Sequence, residues 1–428
     1  MAHLNSLLTA ISRKTPLRTV LIVPFVVQIF AAVGLVGYLS FRNGQKAVAD
    51  LVNQLTEETS ARIEQHVVNY LNKSQDTLWL NQGAVQSGNL DLNDFDKLRR
   101  YFWQVVHEGD YEGYLSYGNE QGEFVGVEYR EDATVQLKIR TSTITPQRET
   151  YLLDEEGEPQ ELLEASEYDP RTRPWYNAAK EEGEATWSEI YPFFSSKNTI
   201  LGISPVYPLY DEQGKLLGVL CINVRLTRIT DFINHLSISP NGQSFIMERS
   251  GNLVAGSEIP QPFKIIGDEE DKEIERISAA QSDNAVVKAT AQHLLERFGG
   301  FQDIQKSEKL KFQVDGAWYY AQVLPIQDGR GIDWLTVVVV PEQDFMEEIN
   351  NNARTTIFLC LAALVIATLI GIATSRWVIG PILRLNASAK AIAQGEWQQT
   401  PVSKRSDELG ELATSFNSMA QQLQTSFA

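Results

Sequence analysis

The chain has 428 residues, a formal net charge of −18 at pH 7 and only two cysteines. So acidic a surface argues against nucleic acid and against anionic lipid headgroups as partners, because their phosphates would be repelled. Cys360 lies inside an apolar run, which leaves Cys221 alone in the acidic block and excludes an internal disulfide framework.

Residues 1–18 carry Arg13, Lys14 and Arg18 without an acid, and they precede an uncharged run from Thr19 to Phe41. A second uncharged run spans Thr355 to Ser375, and Arg376, Arg384 and Lys390 follow it. Each run is long enough to cross a bilayer as a helix. The distribution of basic residues predicts both ends in the cytoplasm and residues 42–354 outside it, with Arg42, Lys46 and Arg354 weakening the asymmetry. The first run exceeds the apolar core of a cleavable leader and is expected to remain as an anchor. The bilayer is therefore an expected partner.

After the first span, Val48, Leu51, Leu55, Ile63, Val67 and Leu71 recur at helical spacings and predict a stalk helix over 43–89. A second helix is predicted over Leu92 to Val106, with Phe95, Leu98, Phe102 and Val105 on one face. From Tyr111 the pattern turns to strands. Tyr111 to Ser116 and Glu123 to Tyr129 flank a turn with Gly118 and Gly122; Ile200 to Leu209 and Lys215 to Val224 flank one with Gly214. A third hairpin joins Ser244 to Glu248 with Leu253 to Gly256. Thr227 to Leu236 is a predicted linking helix. A helical stretch with Ile274, Ile277 and Ala285 to Leu295, then strands Lys309 to Val314, Trp318 to Leu324 and Trp334 to Val340, complete a second α+β unit.

The tail repeats Ile382, Leu385, Ala389 and Ile392 after Pro381, then Leu409, Leu412, Phe416, Met419 and Leu423 after Asp407-Glu408, with Gly395 between them. Two short amphipathic helices cannot bury such stripes alone, so a homodimer forming a parallel four-helix bundle is expected. Pro381-Ile382, Ile392-Ala393-Gln394-Gly395, Asp407-Glu408-Leu409-Gly410 and Phe416-Asn417-Ser418-Met419-Ala420 together resemble a HAMP domain over 376–428. The resemblance implies a converter of signals arriving through a membrane helix, with Pro381 and Glu408 in transmission.

The exported block resembles a double Cache (dCache) sensor. The motifs are Tyr168-Asp169-Pro170-Arg171-Thr172-Arg173-Pro174-Trp175-Tyr176, Trp187-Ser188 through Tyr191, and Gly218 to Val224. This implies an α+β fold of two PAS-like modules on a long helix. A membrane-distal ligand module would occupy 90–236 and a proximal one 237–350. In the amino-acid-binding branch of that family, Tyr168, Arg173, Trp175, Tyr176 and Tyr191 stand at ligand-contacting positions, and Asn223 stands where an aspartate would be. A guanidinium fork suits a carboxylate, whereas an amide replaces an aspartate poorly as partner for an ammonium. The implied ligand is a small molecule, carboxylate-bearing or amino-acid-like. Trp175 and Tyr176 also suit a plain core role, and Arg173 a structural pairing with Asp169 or Glu189.

The five scattered histidines form no metal-ligand spacing, the acid runs Asp154 to Glu158 and Asp268 to Asp271 suit solvated loops, and no nucleophile elbow or phosphate loop occurs. No catalytic residue, metal or cofactor is expected. The tail stops at Ala428, where a HAMP helix would continue into an output domain. A histidine kinase or nucleotide cyclase is the first expectation for that domain; a diguanylate cyclase or chemotaxis signalling domain is also compatible. The rival reading is a membrane-anchored binding or adhesion protein without output; a membrane-bound hydrolase would need a nucleophile and base that cannot be named.

Overall fold

The computed structural model describes residues 17–108, 113–130, 132–144, 146–194, 199–266, 273–394, 396 and 405–427. Arg13, Lys14, Tyr111, Asp268 to Asp271, Gly395 and Ala428 lie outside the described residues. By chain contacts the molecule divides into a unit of 49–345 and a unit formed by residues before 49 and after 345.

The stalk and the first apolar run form one helix, α1 (Leu17–Gln86). Its buried seam is Val48, Val52, Thr56, Ser60, Ile63, Val67, Leu71, Ser74 and Leu78, three or four residues apart. Leu51, expected on that seam, is 54% exposed, and Leu55 is only half-buried. Hydroxyl residues share the seam with the aliphatic ones; Thr56 Oγ1 donates to Gln322 Oε1 at 3.2 Å.

Helix α2 (Phe95–Glu108) buries Leu98, Phe102 and Val106. There follow β1 (Tyr114–Asn119), β2 (Phe124–Tyr129), β3 (Val135–Arg140), β4 (Gln147–Leu153) and β5 (Pro159–Glu167), an antiparallel meander. Then come α3 (Pro174–Glu182), β6 (Thr186–Trp187), β7 (Tyr191–Phe194), β8 (Thr199–Ile203), β9 (Pro205–Tyr210) and β10 (Leu216–Arg225). Strand β10 closes the sheet against β1, pairing Tyr114 with Asn223 and Asn119 with Gly218. The predicted single strand Ile200 to Leu209 is two strands broken at Ser204: β9 pairs with the first half of β10, and β8 with its last two residues.

Helix α4 (Thr227–Asn234) leads to the second module: β11 (Gln243–Glu248), β12 (Leu253–Gly256), β13 (Phe263–Ile266), β14 (Glu273–Arg276), α5 (Ala285–Phe298), β15 (Glu308–Val314), β16 (Ala317–Gln327) and β17 (Asp333–Pro341). Its main sheet runs β12-β11-β17-β16-β15. Asn284 caps α5 by accepting from the amides of Val286 and Val287, and Gly299 ends it in the left-handed conformation. Helix α5 packs Val287, Ala291 and Leu294 against Phe245, Met247, Val323, Leu335 and Val337.

In the other unit, α6 (Gln343–Ala393) is unbroken through Pro381, and α7 (Glu408–Phe427) follows. Both α1 and α6 contain stretches long and apolar enough to cross a membrane. At the start of α7, Asp407 accepts from the Gly410 amide at 3.2 Å and pairs with Arg405 at 2.5 Å. Arg405 also donates to the Trp377 carbonyl at 2.8 Å and stacks 4.0 Å from its ring centroid. A Cβ on Gly410 would collide with the Arg405 backbone, so only glycine permits this start.

Candidate functional site

The site is built where the sheet of the first module fails to close over its own inner face. Between β5 and α3 the chain turns through Asp169, whose carboxylate accepts from the Arg171 amide at 3.0 Å and pairs with the Arg171 guanidinium at 2.6 Å. Asp169 is thus engaged by Arg171 rather than by Arg173. Proline at the first position of α3 fixes the helix start, and Trp175, Tyr176 and Ala179 point into the core.

This turn, with β1 to β5, β7, β8 and β10, encloses a cavity of about 420 Å³. Tyr168, Arg173, Trp175, Tyr191 and Asn223 all line it. Tyr176 does not. It is buried beside Trp175, ring centroids 5.5 Å apart, within the aromatic core. Pro381 and Glu408 belong to α6 and α7: the first lies inside its helix, the second opens its own and is exposed.

The aromatic wall is cross-braced. Trp175 Nε1 donates to the Tyr168 hydroxyl at 3.3 Å, and Phe124 meets Tyr168 edge-on at 5.1 Å between centroids. The Arg173 guanidinium lies 5.7 Å from the Tyr191 ring centroid and donates to the Pro192 carbonyl at 3.4 Å. Ser204, at the strand break, is within 2.9 Å of the Tyr191 hydroxyl and donates to Asn223 Oδ1 at 3.2 Å. The Cys221 thiol donates to the same oxygen at 3.3 Å, and burial pushes that thiol up to about 12, so it remains protonated. The amide oxygen of Asn223 is therefore occupied from two sides.

Further lining residues that the motifs did not reveal carry charge or hydrogen-bonding capacity, among them Glu128, Lys138, Arg148, Arg225 and Tyr114. Glu128 receives Lys138 at 2.7 Å and Arg225 at 2.6 Å. Burial opposes its charge, yet the two cations hold its carboxyl below the ordinary range. Burial likewise depresses Lys138, with Glu128 opposing. Arg148 lies over the Tyr168 ring, 4.2 Å from its centroid. Burial raises both Tyr168 and Tyr114, so their hydroxyls remain donors at neutral pH. A usable signal existed: Val135-Gln136-Leu137-Lys138-Ile139-Arg140 alternates with the period of a half-buried strand, a pattern that brings Lys138 to the cavity.

Glycine 126 makes room for this arrangement. Directly across from Ser116 on β1, it has the Tyr114 ring over it, and a Cβ there would overlap that ring. Among the described residues, no three His, Cys, Asp or Glu side chains converge as metal ligands would. The site offers guanidinium and phenolic donors around aromatic walls, a chemistry suited to holding an anionic small molecule.

Comparison with known proteins agrees with the fold. The family model for the Cache domain dCache_1 matches residues 44–349, and that for the HAMP domain matches 373–425. Among curated proteins, methyl-accepting chemotaxis protein McpC of Bacillus subtilis is 24% identical over 260 residues, 60% of this chain and 34% of that protein. Methyl-accepting chemotaxis protein PctB of Pseudomonas aeruginosa is 25% identical over 264 residues, 61% of this chain and 37% of that protein. The matched region thus spans about a third of the length of these relatives. Among solved structures, the ligand-binding domain of Pseudomonas aeruginosa PctB in complex with L-Arg aligns with a TM-score of 0.40 and 16% identity, over 69% of this chain and 95% of that one. The ligand-binding domain of Mlp24 with asparagine aligns at 0.42 and 19%, over 72% and 99%.

Proposed function

The chain belongs to the dCache_1 family of Cache sensor domains, joined here to a HAMP domain, and on that premise we propose that it is a transmembrane receptor for a small carboxylate. Tyr168, Arg173, Trp175 and Tyr191 contact the ligand, with Arg173 taking a carboxylate in its guanidinium fork. Asn223 orients the wall through Ser204, and Tyr176 supports Trp175 from behind. The observation that carries this reading is the single cavity in which these side chains meet. Amino acids belong among the ligands to be tried, since the family resemblance includes amino-acid sensors.

The sensor domain lies outside the cytoplasm and the HAMP domain inside, with α1 and α6 crossing a bacterial inner membrane. The first module is then the membrane-distal one. Ligand capture shifts α6, which carries the signal past Pro381 toward Glu408, by displacements of about 1–2 Å. The ligand transmits only through its different affinities for the two states. Leu412, Met419 and Leu423 are 54%, 50% and 38% exposed along α7 in one chain, and a homodimeric four-helix bundle covers them. The chemotaxis relatives favour a chemoreceptor type of output over the histidine kinase or cyclase first expected.

The test is calorimetric titration of the chain in lipid nanodiscs with monocarboxylates, dicarboxylates, amino acids, amines and purines. A carboxylate is expected to bind saturably and to lose that binding in Arg173→Ala. Binding confined to amines would overturn the assignment of Arg173.

A further inference from the structure

Arg173 accounts for one acidic group, but it is one of four basic residues at a cavity whose lining holds a single buried acid. Besides Arg173 it is lined by Lys138, Arg148 and Arg225. The one buried acid, Glu128, is already taken by two of them, Lys138 and Arg225. Glu164 and Glu167 reach the cavity from β5, an edge strand exposed along nearly its whole length, where water and salt screen them.

Arg148 stands apart in this set. Its Nε is buried and has no hydrogen-bond partner among the described residues, and its guanidinium rests on the Tyr168 ring. The hydroxyl of Tyr114, a residue only 9% exposed, is likewise buried without a partner. A buried donor left unmade is costly, and two of them lining one cavity beside a guanidinium mark a place prepared for an acceptor. The fold holds Arg148 there deliberately: β4 pairs Arg148 with Ser166 of β5, and the loop joining these strands is clamped by Arg99, which donates to the Gly157 carbonyl and pairs with Glu158 at 2.9 Å.

The buried part of the lining offers no open anion for an ammonium group; the open acids, Glu164 and Glu167, stand on the exposed edge strand β5. Glu128 is doubly paired, and the Asn223 oxygen is occupied by Ser204 and Cys221. We propose that the ligand is a short-chain dicarboxylate without an ammonium group, its first carboxylate on Arg173 and its second on Arg148 and the Tyr114 hydroxyl. This rests on the carboxylate-receptor reading above and narrows it to a dianion.

The experiment is calorimetry on the full chain in nanodiscs with succinate and glutarate, their monocarboxylate counterparts butyrate and valerate, and glutamate, which adds an ammonium to glutarate. Each diacid is expected to bind about tenfold or more tightly than its monoacid, the effect of one charge-assisted hydrogen bond, and glutamate more weakly than glutarate. Arg148→Gln should weaken diacid binding about tenfold or more and so abolish the diacid preference. Tyr114→Phe supplies a second reading that folding defects cannot imitate. By removing an unpaired buried hydroxyl it should raise the melting temperature of the ligand-free chain and yet weaken diacid binding. Mono- and diacids binding alike, glutamate binding more tightly than glutarate, or a diacid preference that survives Arg148→Gln would sink the second pole and leave the receptor reading standing. No binding by any carboxylate, in a chain that still melts cooperatively, would sink both.

Discussion

In the second module, Phe245, Met247, Leu310, Phe312, Val323, Leu335 and Val337 meet Val287, Ala291 and Leu294 of α5, and the space between sheet and helix is filled. In the first module the corresponding concave side of the sheet presents Ser116, Glu128, Lys138, Asn223 and Arg225 to a cavity. Both are antiparallel sheets, but they differ in extent, ten strands against five, and in the helix that covers them. One module stores its stability in packing. The other leaves polar groups incompletely answered, and a ligand can supply what the sheet does not. A hollow core beside a filled one is the physical form of a sensor on a rigid base.

The sharpest way to break this contrast is to hollow out the filled module. Leu294→Ala removes a fully buried side chain from the α5 interface and is expected to cost about 2–5 kcal/mol with or without ligand, measured by denaturant unfolding of the chain in nanodiscs. If it also abolished ligand binding while the first module stayed folded, the two cores would not be independent. Arg173→Ala should do the reverse. It leaves ligand-free stability near that of the parent chain but removes ligand stabilisation, about 2.7 kcal/mol at a ligand concentration one hundred times Kd.

The joint between modules comes next in size. Asp328, in the turn between β16 and β17, accepts from Trp187 Nε1 at 2.5 Å and Gln75 Nε2 at 3.0 Å, linking the second module to the first and to α1. Trp187 precedes Ser188, whose hydroxyl accepts from the Ser204 amide at 3.0 Å, and Ser204 touches the ligand wall. Asp328→Ala leaves buried donors unpaired and is expected to cost about 1–3 kcal/mol. Ligand should still bind, but hydrogen exchange in β16 and β17 should no longer respond to it.

The smallest effect separates the modules by the sign of their pH dependence. Glu128, held below the ordinary carboxyl range, contributes stability that is present above about 4.5 and lost as pH falls through its lower folded-state value. Glu248 of the second module pairs with Arg276 at 3.1 Å, but burial dominates and raises it. Its contribution is present below about 4.5 and lost as pH rises through the higher folded-state value. Melting curves from pH 3.5 to 6 should therefore show Glu128→Gln and Glu248→Gln altering the slope in opposite directions. Equal slopes would show that one cation in the second module does the work of two in the first.

What the sequence disclosed follows the same division. The five strands of the second module's main sheet and α5 were legible, because those strands are apolar runs bounded by turns and α5 carries a capping asparagine and a terminal glycine; the small hairpin β13-β14 was not, and Ile274, expected in a helical stretch, lies in β14, where charged residues flank it on both sides. The resemblance to the double Cache motif pointed to Tyr168, Arg173 and Trp175, and all three line one cavity. Of residues 130–167, only Val135 to Arg140 carries the alternation of a strand. Strand β5 is exposed along nearly all its residues, so no apolar alternation marks it, and Arg148 gains its meaning only from β3 and β4 lying side by side. The break at Ser204 was hidden for a related reason: Ile200 to Leu209 is apolar on both sides of it, and only pairing to different stretches of β10 divides the strand. The stalk seam was misplaced at Leu51 because the adjacent Val52 is the buried residue of that turn and Thr56 and Ser60, polar by composition, continue the seam where an apolar repeat is sought.

Hydrogen–deuterium exchange of the whole chain in nanodiscs, with and without a saturating dicarboxylate, tests the central claim most directly. Slowed exchange is expected in β1, β4, β10 and residues 168–176, with a smaller change along α6 and none in α5. Protection confined to the second module, or binding that leaves residues 168–176 unchanged, would contradict it.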